Sequence, residues 1–248
     1  MAWYAKNTGY YSIGTTQADG NCTEIYNFLY PLGYSIESIC AIIGNVNREC
    51  AFNPWLWEGN SFRSTENYRS FTGGYGLVQW TPCTEYIDSN VARSYSTYAP
   101  NFSNQAGQYH DGNAQINFVD YQIHTPGNWF TATGGQYNAY LYRLSEIGID
   151  YTRFYNMTVQ QFMNASGPNP NITYTYDDWI GAFATCYLRP TSTVLARDWY
   201  KMRDAYTYYY NYFTGSPPTP PTPPIPPGPV PPSITHHMPV WMMIDYNN

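Results

Sequence analysis

Glu49 is the residue whose type and position best suit acid catalysis. It ends an apolar helical run and stands just before Asn53-Pro54, a pair that resists continuing a helix. Cleavage of a glycosidic bond needs a carboxylic acid that stays protonated near neutral pH, and burial beside aromatic rings raises a carboxyl pKa enough to allow this. The alternative is an ordinary ion pair at the surface, between Glu49 and Arg48 or Arg63.

A glycine-rich turn, Gly73-Gly74-Tyr75-Gly76, opens onto a Gln79-Trp80 pair. Glycines let the backbone come close to a ligand. Gln79 can hydrogen-bond a sugar or its N-acetyl group, Trp80 can stack on the sugar ring, and Tyr75 would lie on the groove wall. With Thr81, these are the predicted substrate-binding residues. The alternative interpretation of the glycines is a plain hairpin turn.

The elements that would position these residues are mainly helices. Ile25, Phe28 and Leu29 share one face of a first helix, predicted over residues 21–32. Ser35 is a good N-cap for a second helix, which should stop near Glu49. Residues 51–80 lack helical periodicity and favour short strands or a hairpin. Later helices are predicted over residues 84–91, 114–124, 136–149, 159–164, 176–187 and 192–212.

The predicted fold class is therefore mainly α, of α+β type: a helical domain with a small β-hairpin or loop subregion, followed by a Pro-rich tail. A polyproline run cannot join a packed core and forms a semi-rigid spacer. The apolar peptide after it is either a docking segment or a disordered tail. The expected boundaries are a lead-in over 1–20, a folded domain over 21–213, a polyproline linker over 214–233 and a docking peptide over 234–248.

Composition narrows the function classes. The net charge is −6, and no stretch is basic, which argues against nucleic acid as a partner. No apolar run is long enough to span a membrane, and the N-terminus does not resemble a signal peptide. Five cysteines without a Cys-x-x-Cys pair favour scattered reduced thiols, and the histidines show no ligand spacing. We therefore expect no metal and no cofactor.

Two motifs carry a resemblance to a known family. Gly44-Asn45-x-x-x-Glu49-x-x-x-Asn53-Pro54, followed by Gly74-Tyr75-Gly76-Leu77-Val78-Gln79-Trp80-Thr81, resembles the phage tail lysozyme family, which is related to goose-type lysozymes and lytic transglycosylases. Weaker similarity continues at Gln115–Ile123 and Ala182–Pro190. The resemblance covers about residues 20–212. It implies a lysozyme-like fold rich in helices, peptidoglycan as substrate, a place in a phage tail or tail-like particle, and Glu49 at the position of the family's catalytic Glu.

The resemblance is incomplete at the second carboxylate. Goose-type relatives place an Asp after the glycine-rich strand, where this chain has Thr81. An inverting hydrolase needs a second carboxylate about 6.5–9.5 Å from the acid. The candidates are Glu58, Glu66 and Glu85, and spacing favours none of them. Where no second carboxylate helps, Glu49 would act alone, as in lytic transglycosylases.

The expected function is that of a muramidase in a phage tail or tail-like particle. The alternatives are a lytic transglycosylase with the same acid, or a non-catalytic structural or wall-binding tail protein. We expect the protein to be made in the host cytoplasm and carried in the virion. Other tail proteins would be bound through Trp241, Met242 and Met243.

Overall fold

The computed structural model describes residues 3–7, 13–59, 67–98, 100, 107–131, 143–190 and 192–215. Helices dominate this part of the chain, which confirms the predicted fold class. The elements are β1 (Trp3–Ala5), α1 (Thr15–Leu29), α2 (Ile36–Cys50), α3 (Thr84–Ile87), α4 (Asn90–Ser94), β2 (Gly107–Tyr109), α5 (Gly112–His124), α6 (Val159–Met163), α7 (Tyr176–Ala182) and α8 (Ser192–Thr214). Shorter helical turns cover Tyr30–Leu32, Tyr68–Ser70, Tyr151–Arg153 and, in π form, Phe183–Leu188.

Helix α2 runs through the core and carries Glu49 near its C-terminus. The Ser35 side chain accepts a hydrogen bond from Ser38 N, so the predicted N-cap is confirmed. Gly44 lies so close to α8 that a Cβ atom there would stand 2.7 Å from Met202 O. Asn45 donates from Nδ2 to Ile180 O at the end of α7. These contacts fix α2 against both later helices.

The start of the domain differs from the prediction. Helix α1 begins at Thr15, and β1 pairs antiparallel with β2, placing Trp3 opposite Tyr109. Trp3 is buried. The Asn21 side chain accepts a hydrogen bond from Tyr4 N and donates one to Tyr4 O. β1 therefore packs into the core, with Trp3 and Ala5 buried, because this non-local pairing gives it a partner strand.

The region after α2 holds less β structure than expected. Its described residues contain two isolated bridges, Trp57 with Tyr75 and Tyr75 with Trp80. Glu58 N donates to Gly74 O at 3.0 Å, which extends this contact by one hydrogen bond. The described part of this segment is thus loop joined by isolated antiparallel bridges, without a regular strand.

The remaining predictions fall partly outside the described residues. All five cysteines are buried free thiols, as predicted. In the part of the chain that the structure describes, no helix is long and apolar enough to cross a membrane. Residues 216–233 of the polyproline linker and the whole peptide 234–248, with Trp241, Met242 and Met243, lie outside the described residues, as do residues 136–142.

Candidate functional site

A polar cleft of about 430 Å³ opens at the C-terminal end of α2. Its walls come from five parts of the chain: the end of α2, the loop after it, the residues that follow the glycine-rich turn, the segment that leads into α8, and the first part of α8. The charged and amide side chains of the cleft include Arg48, Glu49, Glu58, Gln79, Arg197 and Asp198. Glu49 therefore lies where a ligand can reach it.

A left-handed turn delivers Glu49 to this cleft. Ala51 and Phe52 have φ of 46° and 65°, a backbone region that residues other than glycine seldom adopt. The buried Asn53 side chain holds the turn, because it bonds both Lys6 N and Lys6 O, at 3.1 and 2.8 Å. The N-terminal segment thus supports the turn that follows the acid, a role that local sequence reasoning did not identify.

The Glu49 carboxyl is mostly buried, with 15% of its side chain exposed. Burial raises its pKa above the ordinary value of 4.5, against the lowering effect of the Arg48 charge and hydrogen bond. The negative charges of Asp198 and Glu58 raise it further. The ion pair with Arg48, which was the predicted alternative, also forms. It lies in the cleft wall and not at the open surface, since only 5% of the Arg48 side chain is exposed. Arg63 lies outside the described residues.

The three predicted second carboxylates have different positions. Glu58 lines the cleft, and its Oε2 accepts a hydrogen bond from Gly74 N at 2.7 Å. Glu85 does not line the cleft; its Oε1 accepts from Gln122 Nε2 at 2.7 Å. Glu66 lies outside the described residues.

Asp198 is a cleft carboxylate that sequence reasoning missed. It lies on α8 and pairs with Arg197 at 2.6 Å and with Lys201 at 3.0 Å. The hydrogen bond from Arg197, aided by Lys201, lowers the pKa of Asp198, so this carboxylate is ionised. The signal in the sequence was its spacing, because Asp198 falls on the same helical face as the buried Leu195 and Met202.

The predicted sugar-binding residues are divided between the cleft and the core. Gln79 and Thr81 line the cleft. Trp80 is 4% exposed, stacks on Tyr86 with ring centroids 4.6 Å apart, and donates its indole N–H to Gln122 at 2.7 Å. Tyr75 is fully buried. The structure therefore corrects their placement: packing occupies these two rings, which support the cleft loop from behind instead of forming its wall.

Gln79 also holds the loop. Its φ is 54°, and its Nε2 donates to Gly76 O at 2.9 Å and to Leu56 O at 3.2 Å. These bonds tie the glycine-rich turn to the loop after α2. The side-chain nitrogen is thereby engaged with the backbone, so a contact from Gln79 to a sugar would come from its remaining acceptor oxygen.

Helix α5 fixes the glycine-rich turn through the buried Gln115. Its Oε1 accepts from Leu77 N at 2.9 Å, and its Nε2 donates to Pro54 O at 2.7 Å. Gly76 has φ of +81°, and a Cβ atom there would stand 2.7 Å from Gln115 Oε1. Only glycine fits this position, so the spacing of the sequence motif has a direct structural cause.

The chain matches the family model described as phage tail lysozyme over residues 20–202. Because this match covers most of the chain, the protein belongs to the phage tail lysozyme family. Over 86 residues, or 35% of its length, the chain is also 35% identical to morphogenesis protein 1 of Bacillus phage B103. That match spans 21% of the phage protein.

Proposed function

We propose that this member of the phage tail lysozyme family cleaves the glycan strand of peptidoglycan, with Glu49 as the general acid. The observation that carries the proposal is a largely buried carboxyl, with its pKa raised by that burial, at the wall of an open polar cleft. A raised pKa keeps part of the carboxyl population protonated at higher pH, which is what protonation of a leaving oxygen requires.

In the proposed reaction Glu49 donates its proton to the oxygen of the glycosidic bond. The bond between that oxygen and the anomeric carbon then breaks, and positive charge develops on the sugar. In hydrolysis a water molecule adds to the anomeric carbon and gives up a proton to a second carboxylate. We propose Asp198 for that role, because its cationic partners keep it ionised. Glu58 is the other cleft carboxylate among the described residues.

A second route is that of a lytic transglycosylase, and a specific observation favours it. Both cleft carboxylates other than Glu49 already have partners: Glu58 accepts from Gly74 N, and Asp198 is bonded to Arg197 and Lys201. Without a free base, the sugar's own 6-hydroxyl would attack the anomeric carbon, and Glu49 would take back the proton. The product would then carry a 1,6-anhydro end and no added water.

The setting proposed for this reaction is a phage tail or tail-like particle. The family match and the phage relative support this setting. The partners we propose are peptidoglycan strands and, through residues 234–248, other tail proteins.

Mass spectrometry of the soluble products tests the proposal. The full chain is incubated with purified peptidoglycan, and the fragments are compared with those from an untreated sample. Cleaved glycan with a reducing end supports hydrolysis, and cleaved glycan with a 1,6-anhydro end supports the transglycosylase route. An absence of cleaved glycan, with the protein folded and bound to the wall, would contradict both routes and favour a wall-binding role.

A further inference from the structure

Arg48 is an unusual neighbour for an acid. Consecutive residues on a helix point about 100° apart and do not normally face each other. Arg48 nevertheless donates from Nη2 to Glu49 Oε1, next to the left-handed turn that ends α2. Both side chains therefore converge on one point of the cleft wall.

The Arg48 guanidinium is buried and only partly satisfied. Its side chain is 5% exposed, and its Nε and Nη1 have no hydrogen-bond partner within the described part of the chain. Glu49 is its one salt-bridge partner among those residues. A buried cation of this kind depends on its counter-charge, because breaking such a pair leaves an uncompensated charge.

The pair leaves one oxygen of the acid available. Oε1 of Glu49 accepts a hydrogen bond from Arg48, and within the described part of the chain this is the hydrogen bond that the carboxyl forms. The other charged groups at this point are Glu58 from the loop after α2, and Asp198 with its partners Arg197 and Lys201 from α8. The two cations on α8 are bonded to Asp198, so Arg48 is the cation in contact with Glu49.

We propose that Arg48 is a positioning residue for the reaction: it fixes Glu49 by one oxygen, leaves the other oxygen for the leaving group, and sets the pH range in which Glu49 can give up its proton. This inference rests on the proposed function. When Glu49 is protonated, its attraction for Arg48 weakens. The charge of Glu49 and the position of the Arg48 guanidinium therefore change together in each catalytic cycle.

The test is an NMR titration of the Glu49 side-chain carboxyl in the full chain, labelled with carbon-13, for wild type and Arg48→Gln. Glu49→Gln assigns the resonance. Without the cation, the pKa of Glu49 should rise by about 1–3, and the high-pH limb of kcat/KM should move upward by the same amount. In Arg48→Lys the pKa of Glu49 should return most of the way to its wild-type value. The kcat should recover less, since an ammonium lacks the planar fork of a guanidinium. Arg69→Gln, at an exposed ion pair with Asp88, is the matched control.

An unchanged Glu49 pKa in folded Arg48→Gln would overturn the inference. If that variant does not fold, the wild-type chain provides the test. The side-chain nitrogen resonances of Arg48 should then titrate together with the Glu49 carboxyl. An Arg48 signal that does not change with pH would overturn the inference. These titrations need no substrate. Glycan cleavage by the Glu49→Gln variant would therefore contradict the proposed function. It would leave intact the coupling between the Arg48 guanidinium and the Glu49 charge.

Discussion

Gln122 accepts the indole N–H of Trp80 in a hydrogen bond of 2.7 Å between buried side chains. The same oxygen, Oε1, accepts from the Tyr187 hydroxyl at 2.6 Å. One amide thus joins the glycine-rich turn to α5 and to the π-helical turn before α8. The position of the cleft loop depends on this junction.

Replacing Gln122 by Leu should destabilise the protein by about 1–3 kcal/mol for each donor left buried without an acceptor. The donors are Trp80 Nε1 and Tyr187 OH. Urea unfolding monitored by tryptophan fluorescence measures the loss. Gln160→Leu, at an exposed position of α6, should change stability by less than about 0.5 kcal/mol. Equal stability of the two variants would contradict the role given to Gln122.

The closeness of α2 and α8 predicts opposite effects for two glycine substitutions. Gly44→Ala places a Cβ atom 2.7 Å from Met202 O, and such overpacking costs about 1–3 kcal/mol. Gly20→Ala in α1 meets no atom within 4 Å and should gain about 0.5–1 kcal/mol from helix propensity. Thermal unfolding of both variants tests the sign. A stabilised Gly44→Ala protein would contradict the close crossing of these helices.

Asp198→Asn should lower the rate of hydrolysis by about 100-fold or more, because it removes the proposed base. Glu58→Gln should have a smaller effect, since its Oε2 is occupied by Gly74 N. Asp204→Asn, at an exposed position on the same helix, is the matched control. Rates come from the release of soluble glycan fragments, which both routes produce, and mass spectrometry identifies their ends. An unchanged rate in Asp198→Asn, with 1,6-anhydro products, would support the transglycosylase route and exclude Asp198 as base.

The raised pKa of Glu49 predicts the high-pH side of the activity profile. Burial raises this pKa above 4.5. The acid must be protonated, so kcat/KM should fall as pH rises through this raised pKa. Asp198 must be ionised in the hydrolytic route, and its lowered pKa keeps it so at acidic pH. A fall in kcat/KM centred at or below pH 4.5 would contradict this assignment of the acid.

Local patterns were enough to predict part of this site. Ser35 caps the start of α2 through the nearby Ser38 N, and the Asn53-Pro54 pair predicts that the helix stops before it, so the position of Glu49 at a helix end followed from the sequence. Gly76 could likewise be recognised as a turn glycine. What the sequence could not show was which distant side chain, here Gln115, made glycine necessary.

Long-range contacts explain what the sequence did not predict. Asp198 reaches the cleft because α8 crosses α2, and nothing near Glu49 in the sequence indicates that crossing. An aromatic residue beside a catalytic motif suggests sugar stacking, yet Trp80 is buried because α3 supplies Tyr86 and α5 supplies Gln122. The pairing of β1 with β2 is non-local in the same way.

The central claim is that Glu49 delivers the proton that breaks the glycan strand. The most direct measurement compares wild type, Glu49→Gln and Glu146→Gln for release of soluble glycan from purified peptidoglycan. Glu146 is an exposed control that does not line the cleft. We predict that Glu49→Gln loses about 100-fold or more of the activity, the usual contribution of a positioned general acid, while Glu146→Gln retains it. Equal release by wild type and Glu49→Gln would contradict the account.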